Sequence, residues 1–194
     1  GREYEEATGK RMRVFCASLA DVFEDWSGKI LNHKGEVLWI HQDGIGVFHT
    51  EADYPECRTA TMEDLRWELF SLIRQTPHID WLLLTKRPEN IPSMWPKNLG
   101  DEYFHNVWLI TSVSDQETYD RNAHLLYHGC RGLVPVLGLS AEPLLGPIDL
   151  WHEYNGDKTR NWEGCFDWLI AGGESGPKAR PCNIQHVRDR KSVV

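Results

Sequence analysis

The sequence predicts an α/β protein built on a mostly parallel sheet, and three observations lead there. Five short segments are apolar throughout rather than alternating, as strands covered on both faces should be. Stretches with helical periodicity and start signals lie between several of them. Strands that alternate with helices in this way imply right-handed βαβ units, and hence parallel pairing.

The strands are expected at Arg13–Ser18, Asp80–Thr85, Val107–Val113, Leu133–Ser140 and Asp167–Gly173. Pro135 inside the fourth is a local conflict, because it removes a ladder donor. A helix should open at Thr61, with a carboxylate at Asp64, a stripe of Leu65, Leu69, Leu72 and Ile73, and a stop at Thr76-Pro77. Ser114-Asp115-Gln116-Glu117 reads as a capping box opening a second helix, with Tyr119, Ala123 and Leu126 on one face. Asn183 is expected to cap a last helix. Residues 1–194 read as a single domain with two departures: an irregular insertion at about 27–61, holding a small hairpin around Gly35–Ile40, and a polar insertion at about 151–164.

Composition bounds the function. Of 194 residues, 41% are apolar and 26% charged, so a core can form and wholesale disorder is excluded. No apolar run reaches the roughly 18 residues needed to cross a bilayer, so no membrane is expected as a partner. The 21 basic and 29 acidic residues leave a net charge of −8, unlike a protein that neutralises nucleic-acid phosphates over a broad surface. A local basic patch remains open to such a role. The most basic stretch, Lys178–Lys191, is most simply a solvated terminal helix. Five separated cysteines, none in a C-x-x-C pair, fit reduced thiols in a cytoplasmic protein. The chain opens on Gly1 rather than Met, as a processed chain or a fragment would.

In parallel α/β folds, ligands bind at the carboxyl ends of the strands. Those ends read Ser18-Leu19-Ala20-Asp21, Thr85-Lys86-Arg87-Pro88, Ser112-Val113-Ser114-Asp115, Ser140-Ala141-Glu142-Pro143 and Gly172-Gly173-Glu174-Ser175-Gly176. Two cations and several carboxylates should therefore converge on one rim, with Lys86 and Arg87 coordinating an anionic or polar ligand. The glycine turn could bring backbone N–H groups close to an anion, although it is neither a P-loop nor a dinucleotide fingerprint.

Metal sites are weaker candidates. His124 and His128 stand one turn apart, with Cys130 beyond, and His41, His49 and Cys57 fall in the irregular insertion. Either set could hold zinc, yet exposed or structural histidines are commoner. Of nine tryptophans, Trp81, Trp108 and Trp168 sit in matching strands and read as core. Trp26, Trp39, Trp67 and Trp95 are less easily placed, and one or two could stack on a flat ligand.

Arg13–Asp21, Thr85-Lys86-Arg87-Pro88, Ala141–Asp149 and Gly172–Pro181, taken in order, closely resemble the phage-associated gp thirty-seven/gp sixty-eight family, also found in bacteria. The resemblance runs from about Arg13 to Arg188. It implies a distant relative of radical S-adenosylmethionine enzymes, with a partial (β/α), TIM-like barrel, in a phage-encoded or host cytosolic setting. Members of that family begin with a three-cysteine motif resembling one that ligates a 4Fe-4S cluster, leaving one iron open for S-adenosylmethionine. No such motif occurs in this sequence, so a cluster and S-adenosylmethionine are expectations for a longer member and attach to no residue here.

Barrel logic then puts Lys86, Arg87, Ser112, Glu142, Gly172, Gly173 and Glu174 around the ligand. Lys86 and Arg87 would hold a carboxylate or phosphate, Glu142 a ribose hydroxyl or amino group, and the Gly172-Gly173 backbone would approach closely. The substrate class stays open among nucleotide, nucleic acid and protein partner. Three functions compete: a fragment or shortened member of a radical-SAM-like enzyme family, a non-catalytic binding module on the same scaffold, and a metal-dependent hydrolase or lyase using rim carboxylates and histidines.

Overall fold

A computed structural model describes residues 1–16, 20–41, 56–97, 103–150, 165–183 and 185–186. The expected strand end at Ser18, the insertion at 151–164, His49 and the helix beyond Asn183 lie wholly or largely outside those residues. So does most of the basic stretch after Lys178.

Five strands form one parallel sheet: β1 (Met12–Cys16), β4 (Ile79–Thr85), β5 (Val107–Ser112), β6 (Val136–Ala141) and β7 (Trp168–Ala171), adjacent in that order. Each strand pairs in parallel with the one before it, as at Val14 with Trp81 and Ser112 with Ser140. The order never reverses, which separates this sheet from doubly wound folds and matches a (β/α) barrel. The sheet curls into a half-barrel flanked by helices.

Two buried faces explain the uniformly apolar central strands β4, β5 and β6. The edge strands depart from expectation, with Phe15 of β1 41% and Leu169 of β7 39% exposed. On the helix side, Trp81, Leu83, Val107, Leu109 and Leu137 pack with Phe70 and Ile73 of α2 (Met62–Gln75) and Leu126 of α4 (Gln116–Cys130). On the other side, Leu82, Trp108 and Ile110 form a separate cluster joined by Trp168. Arg13 caps that cluster, its guanidinium 4.5 Å from the Trp108 ring centre and 5.0 Å from that of Trp168. Trp81 and Trp108 are both buried, as the sequence implies, but on opposite faces.

Local sequence sets the helix boundaries. Thr61 caps α2 and Asp64 reciprocates, the expected capping box. The buried stripe of α2 differs from expectation: Phe70 and Ile73 are buried, whereas Leu72 is 46% exposed. The inward arc is rotated from the expected stripe: Leu69, Phe70 and Ile73 lie on it, while Leu72, about 200° round the helix from Phe70, falls outside. The N-cap of α4 is Asp115, one residue later than expected, with Thr118 as its reciprocal partner. Tyr119, Ala123 and Leu126 face inward as expected. Pro135 precedes β6 rather than interrupting it, so no ladder donor is lost.

Three features had no clear sequence signal. A short helix, α1 (Arg2–Thr8), ends at Gly9 in the left-handed region. A 3-10 turn at Pro88–Asn90 runs into α3 (Ile91–Met94) and brings Trp95 against Phe70 and Phe104, with ring centres 5.2 and 5.5 Å away. Strand β2 (Trp39–His41) pairs antiparallel with β3 (Cys57–Thr59). Within the insertion, Gly35 (φ 81°) allows the tight turn that bridges Leu31 and Val37, so the expected hairpin is present. Asn106, buried, sends its amide to the carbonyls of Ile73, Thr76 and Ile79, tying the end of α2 to the start of β4.

A candidate ligand cleft at the strand ends

The carboxyl end of β4 carries Lys86 and Arg87, and a carboxylate from the chain following β1 holds them in place. Asp21 Oδ1 accepts from Thr85 Oγ1 at 2.7 Å and from the Phe23 amide at 3.0 Å. Its Oδ2 accepts from the Lys86 amide at 2.8 Å. Thr85 Oγ1 in turn accepts from the Arg87 amide at 2.9 Å, while Thr111 Oγ1 donates to the Thr85 carbonyl at 3.2 Å. Thr85 is 1% exposed, so these bonds sit where an unmade partner would be costly.

Beside this clamp lies an open cleft of about 750 Å³, lined by Asp21, Glu24, Lys86, Arg87, Glu89, Ser112 and Arg121 among others. Three of the expected site residues, Lys86, Arg87 and Ser112, therefore share one cavity. Their roles differ. Arg87 is held by Glu24 through two bonds, Nε to Oε2 at 3.0 Å and a terminal nitrogen to Oε1 at 2.8 Å. Its donor fork is engaged in the manner of a bidentate carboxylate pair. Among the described residues, the Lys86 side chain has no ion pair and Arg121 commits only its Nε, to Asn122 Oδ1. Three cations face three acids in the lining, so recognition of an anion would come from directed donors rather than a positive field.

Glu24 and Arg121 had not been singled out in the sequence. Glu24 stands 63 residues from Arg87, and nothing local to either marks the pair. Arg121 had one signal: it follows the α4 cap by under two turns, on the helix that leaves the rim after β5.

The remaining expected residues gather at the next two strand ends, away from the cleft lining. Glu142 lies over Gly172, where a Cβ would overlap Glu142 Oε1, so any larger residue there would displace the Glu142 side chain. The Glu142–Pro143 peptide is cis. Gly173 abuts Cys182, where a Cβ would come within 3.0 Å of the Cys182 Cβ. Glu174 receives Arg180 Nε, a terminal nitrogen and the Arg180 amide at 2.8–2.9 Å. Those bonds draw its carboxyl down to about 2. Its carboxylate thus closes the Gly-rich turn. The string after Glu142 straps the rim: Leu144 N donates to the Gly172 carbonyl, and Leu145 N and Gly146 N donate to the Ser114 carbonyl. Leu144 and Ile148 are buried beneath it.

The metal candidates resolve as follows. His124 and His128 meet edge to face, with ring centres 4.4 Å apart. Burial pushes the neighbouring Cys130 thiol up to about 12, so it is protonated at neutral pH and poorly suited to ligation. His41 stands opposite Cys57 in the β2–β3 pair. Among the described residues, no three His, Cys, Asp or Glu side chains converge to hold a metal ion. Cys16 lies in β1, Cys57 in β3 and Cys130 in α4, with Cys165 and Cys182 outside the named elements. No three of these five described thiols converge as the ligands of a 4Fe-4S cluster must. No helix among the described residues is long and apolar enough to cross a membrane.

No curated protein and no solved structure matches the chain. One family model does, over residues 56–193, a span that holds α2, β4 with Lys86 and Arg87, the strap after Glu142 and the Gly-rich turn, but not the clamping Asp21 or Glu24. The chain belongs to that family, DUF5131, described as a protein of unknown function.

Proposed function

We propose that this protein binds an anionic, nucleotide-like ligand in the cleft at the carboxyl edge of the half-barrel, on a scaffold related to radical S-adenosylmethionine enzymes and to the phage-associated proteins it resembles. One observation carries the reading. Lys86 enters a cleft of about 750 Å³ from a backbone clamped by Asp21, and its ammonium has no ion pair among the described residues. A rigidly presented cation beside a hydroxyl is a common way to hold a carboxylate or phosphate. Ser112 and Arg121 supply further donors, and Arg87 braces the wall through Glu24.

The scatter of the five cysteines supports a second reading, a binding module on the same scaffold that performs no cluster chemistry itself. Both readings share the cleft. Titration calorimetry with inorganic phosphate, ADP and S-adenosylmethionine tests it. Lys86→Ala should weaken binding of the anionic probe about tenfold or more, the value of one charge-assisted contact, with the melting temperature unchanged. Equal affinity in wild type and variant would overturn the cleft assignment. Preference for S-adenosylmethionine over ADP would favour the enzyme scaffold, and the reverse order the binding module.

A further inference from the structure

We propose that the ligand held at Lys86 also carries one compact, hydrocarbon-like aromatic ring, which lodges in an apolar pocket on the other side of Asp21. This inference rests on the reading above for the anionic group and specifies what is attached to it.

The pocket has a volume of about 150 Å³ and lies between residues 20–22 and the first half of α2. Val22, Met62, Leu65 and Leu69 form its apolar lining, and it shares Ala20 and Asp21 with the charged cleft. A ligand that spans this wall meets donors on one side and aliphatic carbon on the other. A cavity of about this volume lined by aliphatic side chains is large enough for a benzene ring.

The polar groups in the wall argue for carbon over heteroatoms. The Asp21 oxygens are already taken by Thr85, Phe23 and Lys86. Arg66, also in the wall, donates to the carbonyls of Val22 at 3.4 Å and Glu24 at 3.3 Å. Only one terminal nitrogen of Arg66 is so engaged, but a nucleobase placed there would face mainly Val22, Met62, Leu65 and Leu69. Most of its ring nitrogens and carbonyls would lose water without replacement. An unsubstituted ring loses nothing. The guanidinium in the wall favours an aromatic ring over a saturated one, since a cation is attracted by a π-face. The expected class is therefore an aryl phosphate or aryl carboxylate.

Calorimetry on the full chain with inorganic phosphate, phenyl phosphate, cyclohexyl phosphate and uridine monophosphate separates the outcomes. Phenyl phosphate should bind about tenfold tighter than inorganic phosphate, the gain expected for burying part of one ring. It should also exceed the other two esters. Leu65→Gln, and independently Met62→Ala, should remove that gain while leaving inorganic phosphate affinity unchanged. Equal affinity for phenyl and inorganic phosphate in the wild type, or a gain that survives both variants, would overturn the inference. A ring-dependent gain that persists while Lys86→Ala changes nothing would instead overturn the anion assignment. Failure of every probe to bind would overturn both.

Discussion

Asp21 and Thr85, 64 residues apart, meet in a 2.7 Å hydrogen bond that joins the end of β1's following loop to the end of β4. The same carboxylate receives the Lys86 amide, so one side chain sets the direction of the chain that carries Lys86 into the cleft. In the proposed reading, Asp21 is a positioning residue whose role matters as much as that of the residues that would touch a ligand.

Asp21→Ala should therefore damage stability and binding together. It leaves the buried Thr85 hydroxyl and the Lys86 amide without their acceptor, which destabilises the fold by about 1–3 kcal/mol. Chemical denaturation reads that loss. Anion affinity should fall even at temperatures where the variant is fully folded, with partial recovery in Asp21→Asn. Unchanged affinity in folded Asp21→Ala would mean that Lys86 is placed by something else.

Asp64 makes stability depend on acid. Burial alone would raise its carboxyl, but hydrogen bonds from Arg58 at 2.6 and 2.7 Å and from Thr61 outweigh burial and hold it at about 2. A carboxyl depressed in the folded state contributes stability that is complete above its unfolded value near 4. That contribution is lost as pH falls towards 2. Denaturation measured from pH 6 to pH 2 should show this loss in the wild type and a flatter profile in Asp64→Asn. Parallel profiles would show that Asp64 is not the group responsible.

Asn106→Leu should be among the more damaging single changes at the base of the sheet. It removes an amide that serves three carbonyls at 3.1–3.2 Å and places apolar bulk against them. The expected loss is about 2–4 kcal/mol. Hydrogen exchange should localise it to the end of α2 and the start of β4. A variant as stable as wild type would mean that solvent satisfies those carbonyls.

The pairing of Glu174 with Arg180 is directly testable by titration. In Arg180→Ala the Glu174 carboxyl should rise from about 2 towards the ordinary carboxylate range, since the side-chain bonds from Arg180 are the leading cause of its depression. A carbon-detected NMR titration follows the single group. Continued titration near 2 would assign the shift to the backbone of the turn instead.

Much of the fold is legible in local sequence because burial and capping act over a few residues. The apolar runs ending at Thr85 and Ser112 show which segments are strands, and Thr61 with Asp64 shows where α2 begins. Residues at the strand ends, Lys86, Arg87, Ser112 and Glu142 among them, are legible as rim residues once the strands are parallel. Two local signals mislead by small amounts. Ser114 and Asp115 are both good caps, and the second is used, with Thr118 as its reciprocal partner; the inward arc of α2 is rotated towards Phe70, which leaves Leu72 outside it.

Only the tertiary structure decides which rim residues act together. The sheet order and curl place Lys86, Arg87, Ser112 and Arg121 around one cleft, and set Glu142, Gly172 and Gly173 apart from it. It also commits Arg87 to Glu24 and Glu174 to Arg180, pairings that turn expected ligand contacts into braces of the wall and the turn. The physical reason is the range of the forces. Strand and helix signals are written within a turn or two of chain, whereas an ion pair depends only on distance in space. In a chain with 29 acidic residues, the sequence does not say which one an arginine will find.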